Sequence, residues 1–290
     1  MHLDVSFQEH LLIVKSENFE QNTKDMKEIH WFYDPEATDL ELGGLGTLPE
    51  DESKHARNVL RLETGDEIMV TDGKGGLWRT CVEADQNMAG GRTNRKKAPS
   101  IRYRILERIP FPKDTIPKSW IAVAPTKASE RIDWFAEKAT EIGFQTLTPI
   151  ITERSERRHI TIDRLQRIAV SAMKQSHKAI LPLIEESEKF TDFINRKDLP
   201  EVRLIAHCYE PEELPAEIPL RRSMTDVLRT AQKDEAILVL IGPEGDFSPQ
   251  EVDVCVREKG FIPVSLGQAR LRTETAALVA AHLISLRNEL

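Results

Sequence analysis

Cysteine is scarce in this chain, and the few cysteines present exclude two kinds of protein. The 290 residues contain three cysteines, Cys81, Cys208 and Cys255, and no C-x-x-C pair. Isolated thiols in odd number indicate free cysteines in a reducing cytosol rather than the disulfide framework of a secreted domain. Their spacing does not match that of structural zinc ligands either, so the sequence predicts no metal site.

Long apolar runs and an excess of positive charge are missing as well. No stretch approaches the roughly 20 apolar residues of a membrane helix, and the N-terminus lacks the charged-then-apolar order of a signal peptide. We therefore expect a soluble, cytoplasmic protein. The net charge of −8 disfavours a protein that coats nucleic acid indiscriminately, so any contact with RNA has to come from local basic patches.

The strongest local signals lie between residues 236 and 281. An apolar, β-rich run over 236–241 predicts a buried strand, and the turn Gly242-Pro243-Glu244-Gly245-Asp246 follows it. The glycines of this turn allow a ligand to approach the main chain closely. Residues 248–251 then carry the signals of a capping box, which begins a helix that we expect to end at Gly260.

A second unit of the same kind follows. Residues 262–265 predict a short strand, residues 266–272 a loop, and residues 273–275 the start of a helix rich in Ala and Leu. Two strand–loop–helix units in tandem imply parallel strands whose carboxyl ends carry both loops, which is where open α/β sheets bind ligands. Neither loop has the Gly-Lys-Ser/Thr of a P-loop or a G-x-G-x-x-G pattern, so the sequence disfavours a site for nucleoside triphosphates or nicotinamide cofactors.

The two motifs GPEGDFS and LGQARLRTETA, in this order and spacing, resemble the 16S ribosomal RNA (uracil-N3)-methyltransferase family of the SPOUT class. The second motif departs from the usual family pattern at Ala269 and Arg270, where an apolar and a basic residue are exchanged. The resemblance covers nearly everything after residue 29. It implies S-adenosylmethionine bound at a deep C-terminal trefoil knot, a homodimer, and methylation of a uridine N3 in the 16S rRNA of the small ribosomal subunit. General topology rules would exclude a knot, so this expectation rests on the resemblance alone.

The resemblance also implies roles for particular residues. The adenosyl group is expected on eight residues of the two loops and the helix start that follows: Leu240, Gly242, Glu244, Gly245, Leu266, Gly267, Leu271 and Thr275. Arg272 is the predicted donor to charge that develops on a uracil carbonyl oxygen, and Glu274 is predicted to orient Arg272 or to accept the N3 proton. A pairing of Arg272 with Glu274 that only braces the knot, and glycines that only form tight turns, stay open as alternatives.

The remaining signals divide the chain into four parts. We interpret residues 1–29 as an N-terminal extension or a misplaced start, residues 30–108 as a PUA-like RNA-binding β-barrel, residues 109–118 as a proline-rich linker and residues 119–290 as the SPOUT methyltransferase domain. Short alternating runs broken by turns favour the barrel, and residues 68–71 and 77–82 within it predict a hairpin. The PUA-like assignment comes from the resemblance.

Basic residues cluster in the second half of the predicted barrel. Between Arg92 and Arg108 there are seven Lys or Arg residues and one acid, Glu107. Such a run is either a phosphate-binding surface or a flexible polar insertion. The expected RNA-binding residues combine part of this run with basic residues of motifs shared with the family: Arg57, Arg61, Arg95, Lys96, Lys97, Arg102, Arg104, Arg154 and Lys174. In the family, the segments that hold Arg154 and Lys174 lie near the active centre.

Two other functions remain compatible with the residues. A non-catalytic RNA-binding ribosome-assembly factor would keep the basic patches and bind no S-adenosylmethionine. A dinucleotide oxidoreductase would bind a nicotinamide cofactor and ignore RNA.

Overall fold

The computed structural model describes residues 29–38, 40–84, 100–112, 118–232 and 234–287. The chain folds as two units that divide between Phe111 and Pro112, and each unit has a sheet of its own. The interpretation of residues 1–28 lies outside the described residues. Among the helices of the described part, none is both long and apolar enough to cross a membrane.

In its described residues, the first unit is a mostly antiparallel sheet with one helix. Its elements are β1 (Trp31–Tyr33), β2 (Leu45–Thr47), α1 (Glu50–Asn58), β3 (Glu67–Thr71), β4 (Leu77–Glu83) and β5 (Arg102–Arg108). The five strands lie in the order β1-β3-β4-β5-β2, with β1 parallel to β3 and the other pairs antiparallel. The antiparallel pairing of β3 with β4 confirms the predicted hairpin.

The predicted closure of this sheet into a barrel is not observed. Within the described residues, β1 and β2 are the two ends of the strand order and do not pair with each other. Both strands are three residues long, so they offer few backbone groups for a closing ladder of hydrogen bonds. The core is formed by inward-facing side chains of the longer strands, among them Trp78, Tyr103 and Ile105.

The second unit is an α/β fold. Its elements are β6 (Ser119–Val123), α2 (Ser129–Ile142), β7 (Thr146–Ile151), α3 (Ile162–Gln175), β8 (Leu183–Ile184), β9 (Glu188–Lys189), α4 (Phe190–Phe193), β10 (Val202–Ala206), β11 (Arg222–Ser223), α5 (Met224–Thr230), β12 (Ile237–Ile241), α6 (Pro249–Asp253), β13 (Ile262–Ser265) and α7 (Thr273–Ser285). The eight strands lie in the order β11-β13-β10-β12-β6-β7-β8, with β9 beside β7. Every neighbouring pair is parallel, as the sequence predicted.

Local sequence signals explain the boundaries of most of these elements. Strand β12 is buried at all five positions, as its apolar run predicted. The capping box before α6 is confirmed, because the hydroxyl of Ser248 accepts from the N–H of Glu251 and the Glu251 carboxylate accepts from the N–H of Ser248. A π-helical turn, Val254–Glu258, extends α6 toward Gly260, which has a φ of 70°.

Strand order determines where the candidate site lies. Strand β10 pairs with β12 on one side and with β13 on the other. Because all three strands are parallel, the loops that follow them leave the sheet at the same edge. The last helix, α7, starts at this edge and packs on α2, β6 and β12.

Candidate functional site

A cavity of about 1080 Å³ opens at the carboxyl edge of the second sheet. Its first wall is formed by residues 241–244 and Asp246, at and after the end of β12, and its second wall is residues 264–273, from the end of β13 into α7. A third wall is formed by residues 206–208 and Glu210, at and after the end of β10, together with Arg221 and Ser223. The two sequence motifs account for the first two walls, whereas no motif indicated the third. Ligand pockets of small molecules typically measure about 300–1,000 Å³, so the cavity has the size of a cofactor site.

Two glycines shape the first two walls for different reasons. At Gly242, a Cβ atom would lie 3.0 Å from the backbone nitrogen of Phe247, so any side chain there would displace the loop's own main chain. At Gly267, a Cβ atom would meet nothing within 4 Å, but φ is 126°, a conformation that side-chained residues rarely adopt. Gly242 therefore allows the loop to fold tightly on itself, and Gly267 allows its backbone angle.

Asp246 joins the first wall to the third. Its carboxylate accepts hydrogen bonds from the N–H groups of Cys208 and Phe247, each at 2.7 Å. Its φ of 61° is in the left-handed region, which asparagine and aspartate tolerate better than most side-chained residues. Burial raises the pKa of Asp246, and the two N–H donors oppose that rise. The residue holds the loop after β12 against the end of β10.

Arg154 holds the same loop from the other side. One nitrogen of its guanidinium donates to the carbonyl oxygen of Gly245 at 2.9 Å and to the hydroxyl of Tyr209 at 2.7 Å. The Tyr209 hydroxyl in turn donates to the carbonyl oxygen of Phe247 at 2.6 Å. In this structure Arg154, an expected RNA-binding residue, is thus bonded to the cavity wall.

Arg272 and Glu274 lie at the start of α7 and face different surroundings. Arg272 occupies the N-cap position, is exposed and lines the cavity. Glu274 is 7% exposed and is not among the residues that line the cavity. Its Oε1 lies 3.8 Å from Nε of Arg131 on α2, and its Oε2 is enclosed without a hydrogen-bond partner in the described structure. The open alternative of a bracing pair between Arg272 and Glu274 is therefore not observed, and Glu274 faces Arg131 instead.

His207 is a cavity residue that the motifs did not indicate. It follows β10 directly and is 6% exposed, and neither ring nitrogen has a hydrogen-bond partner in the described part of the chain. Burial, with the positive charge of Arg221, lowers the pKa of His207 to about 4. The imidazole is therefore neutral near pH 7. The available signal in the sequence was a polar residue directly after a mostly apolar run, residues 202–206.

Comparison with known proteins shows what kind of domain contains this cavity. Residues 114–285 match the model of an RNA methyltransferase domain, and residues 48–87 match that of an RNA methyltransferase PUA domain. The chain belongs to the RNA methyltransferase family. Ribosomal RNA small subunit methyltransferase E of Aquifex aeolicus is 30% identical over 260 residues, which cover 88% of this RNA methyltransferase and 99% of the relative.

Solved structures of relatives share the fold of this RNA methyltransferase. A probable rRNA-methyltransferase from Porphyromonas gingivalis is 38% identical with a TM-score of 0.71, covering 87% of this chain and 95% of that one. A ribosomal RNA small subunit methyltransferase E from Neisseria gonorrhoeae, bound to S-adenosyl methionine, is 25% identical with a TM-score of 0.70. That match covers 88% of this chain and 95% of the relative.

The structure brings together most of the residues that were expected to hold the cofactor. Five of them line the cavity of this RNA methyltransferase: Gly242, Glu244, Leu266, Gly267 and Leu271. Leu240 is buried inside the sheet, Gly245 faces Arg154, and Thr275 is half-buried in the first turn of α7. The carboxylate of Glu244 accepts from the N–H of Lys127 at 3.0 Å, so it braces the first wall.

The residues expected to contact RNA belong to both units. Arg57, Arg61, Arg102 and Arg104 belong to the first unit, where Arg104 forms an ion pair with Glu83. Arg95, Lys96 and Lys97 lie outside the described residues.

Lys174 lies in the last turn of α3 and is not among the residues that line the cavity of its own chain. Its expected proximity to the active centre stays a prediction. Among the described residues, no group of three His, Cys, Asp or Glu side chains is arranged to hold a metal ion.

Proposed function

We propose that this RNA methyltransferase uses S-adenosylmethionine to methylate N3 of a specific uridine in 16S rRNA of the small ribosomal subunit. The observation that carries the proposal is the cavity between the two motif loops, in a chain that belongs to the RNA methyltransferase family. The solved relative from Neisseria gonorrhoeae has the fold of this chain and is bound to S-adenosyl methionine. Relatives named as small-subunit rRNA methyltransferases indicate the class of substrate.

The cavity fits such a cofactor by two features of its own. The main chain is open to a ligand at Gly267, where no protein atom lies within 4 Å of the position that a Cβ atom would occupy. The enclosed imidazole nitrogens of His207 have no protein partner in the described residues. S-Adenosylmethionine supplies an electrophilic methyl group when it is bound. We assign its adenosyl part to the backbone groups of Gly242, Leu266 and Leu271, which line the cavity.

The protein's own contribution is to position the base and to stabilise charge. N3 of uracil gives its proton to solvent water, and the negative charge left on the base spreads to the carbonyl oxygens. Arg272 extends into the cavity from the N-cap of α7, where its guanidinium can donate to one such oxygen. We assign Glu274 an indirect role in orienting Arg272. Its carboxylate faces Arg131 and anchors the start of α7 to α2, and this fixes the N-cap position that Arg272 occupies.

RNA recognition belongs to the same proposal. A base must leave its stack before a cavity of this kind can act on it, and the PUA domain match supports a role of the first unit in binding RNA. We assign phosphate contacts to Arg57, Arg61, Arg102 and Arg104 there, with residues 95–97. A homodimer is part of the proposal, and a second copy would offer Lys174 a cavity other than its own.

The C-terminal trefoil knot is proposed on the resemblance and on one feature of strand order. After β12 the chain passes β10 to form β13, and it then returns as α7 to pack on α2 and β6. Such a crossing is necessary for threading but also occurs in unknotted α/β sheets, so the strand order is compatible with the knot that the resemblance implies. Tracing of an experimental structure through residues 236–287 is the measurement that tests the knot.

One experiment tests the proposed reaction. Unmodified small subunits are incubated with the protein and S-adenosylmethionine, and the rRNA nucleosides are then analysed by mass spectrometry, with 3-methyluridine as the expected product. Arg272→Ala should slow single-turnover methyl transfer by about 10²–10³-fold, while its affinity for S-adenosylhomocysteine stays close to that of the wild type. Methylation of another atom would refute the N3 assignment. Binding of RNA without any binding of S-adenosylmethionine would favour the assembly factor.

A further inference from the structure

His207 occupies the middle of the cavity edge. It follows β10, which lies between the strands that carry the two motif loops, and it lines the cavity with Cys208 and Glu210. Its ring centroid is 5.9 Å from that of Tyr209. The residue belongs to the third wall, for which the sequence motifs give no role.

The polar groups around His207 leave its ring nitrogens unsatisfied. Arg221 donates to the backbone carbonyl oxygen of His207 at 2.9 Å and lies 3.7 Å from the carboxylate of Glu210. The first wall contributes Asp246, whose carboxylate is bonded to the N–H of Cys208. The second wall contributes Arg270 to the cavity lining. Within the described residues, none of these groups forms a hydrogen bond to Nδ1 or Nε2 of His207.

The chemistry of the imidazole indicates what kind of partner it suits. A neutral imidazole has one N–H donor and one acceptor nitrogen. A carboxylate would favour the protonated ring, whereas burial and Arg221 hold the pKa of His207 at about 4. An ammonium group would lie close to the positive charge of Arg221. A hydroxyl group, which both donates and accepts, matches the neutral ring and carries no charge to be repelled or desolvated.

We infer that His207 is a positioning residue that hydrogen-bonds the uncharged nucleoside of the methyl donor, and not its charged amino-acid end. This inference rests on the proposed function, because it takes the cavity to be the site of S-adenosylmethionine. It adds the third wall to the site and assigns nucleoside recognition to a side chain, where the motif loops offer mainly backbone groups.

Calorimetric titration of two ligands with two variants tests the inference. S-Adenosylhomocysteine has both the nucleoside and the amino-acid end, whereas 5′-methylthioadenosine has the nucleoside alone. His207→Phe should lower the affinity for both ligands by the same factor of about 10, which corresponds to the loss of one neutral hydrogen bond of about 1.4 kcal/mol. His207→Asn retains a donor and an acceptor, so it should recover most of that affinity.

The outcomes separate this inference from the proposed function. A loss for S-adenosylhomocysteine alone would assign His207 to the amino-acid end and overturn the inference. Equal affinity of His207→Phe and the wild type for both ligands would overturn it as well, with the proposed function intact. A wild-type protein that binds neither ligand would overturn both.

Two controls distinguish positioning from a structural role. His282→Phe changes an exposed histidine on α7 and should leave both affinities at the wild-type value. Nitrogen NMR of the labelled imidazole should show a shift of one His207 ring nitrogen when either ligand binds at pH 7, with the ring still neutral. An unshifted ring, with a lower melting temperature of His207→Phe as its only effect, would mean that the residue only packs the wall.

Discussion

The bonds of Asp246 lead to a prediction that opposes the usual preference for glycine at a left-handed position. Its φ of 61° favours glycine on conformational grounds alone. Replacement of Asp246 by glycine removes the strain of the left-handed backbone, which amounts to about 1 kcal/mol. That argument by itself predicts a more stable protein.

The hydrogen bonds of the carboxylate outweigh the strain. Asp246→Gly removes the acceptors of two N–H groups, those of Cys208 and Phe247. Hydrogen bonds to a charged group contribute about 1.5 kcal/mol each at the lower end of their range. The net expectation is a loss of about 2 kcal/mol in the free energy of unfolding. Asp246→Asn keeps one acceptor oxygen and tolerates the backbone angle, so it should lose about 1 kcal/mol.

Urea unfolding at pH 7 measures both variants against the wild type. Arg61→Gly is the matched control, because Arg61 also has a left-handed backbone, with a φ of 57°, and its side chain has no comparable role in joining two loops. Arg61→Gly should be as stable as the wild type or more stable by up to about 1 kcal/mol. If Asp246→Gly were also as stable as the wild type, the hydrogen bonds by which this carboxylate joins the two walls would contribute nothing to the free energy of unfolding.

Three further predictions concern other parts of the chain. Gly267→Ala should lower the affinity for S-adenosylhomocysteine and the melting temperature together, because a φ of 126° strains any side-chained residue; calorimetry and thermal unfolding measure the two, and unchanged values would contradict the backbone argument. Between pH 6.5 and 4 the unfolded chain binds a proton at His207 that the folded chain does not. The wild type should therefore lose at most about 3 kcal/mol of stability over this range relative to His207→Asn, and an equal change in the free energy of unfolding of the two proteins would refute it. Alanine at each of residues 95–97 should reduce the salt slope of RNA binding by roughly one for each phosphate that the variant no longer neutralises, and an identical slope would assign these residues to solvent.

The motif loops could be predicted because their signals are local. The apolar run of β12 and the capping box of Ser248 and Glu251 involve residues at most a few positions apart. Their structure follows from backbone angles and side-chain reach that any neighbouring fold would have to accept. The positions of two walls of the cavity therefore followed from the strand–loop–helix pattern alone.

The third wall depends on contacts between distant parts of the chain. Cys208 and Asp246 are 38 residues apart, and Arg154 and Gly245 are 91 residues apart. Strand β10 meets the motif loops only because the chain from β12 passes it to reach β13. No periodicity or spacing in the sequence encodes that crossing, so the position of His207 in the cavity required the structure.

The alternative of a bracing pair between Arg272 and Glu274 is not observed among the described residues, and helix geometry supplies the reason. Residues two positions apart do not face each other on a helix, whereas residues three or four apart do. Arg272 at the N-cap therefore projects into the cavity while Glu274 projects toward α2 and Arg131. The position of both residues at the helix start after the second loop identified them, and their separation into different surroundings is a consequence of local geometry that applies to any helix start.

The first wall is braced from three directions, and this bears on how the cavity binds its ligand. The N–H of Lys127 donates a hydrogen bond to the Glu244 carboxylate, and the guanidinium of Arg154 donates to the carbonyl oxygen of Gly245. The N–H of Cys208 donates to the Asp246 carboxylate. A glycine-containing loop without such bonds would sample many conformations, and ordering it on binding would reduce the affinity. Because the braces come from the segments after β6, β7 and β10, the loop is ordered by folding of the sheet before any ligand arrives. Loss of one brace should therefore lower affinity by raising the ordering cost, even though these bonding groups lie outside the proposed contacts with the methyl donor.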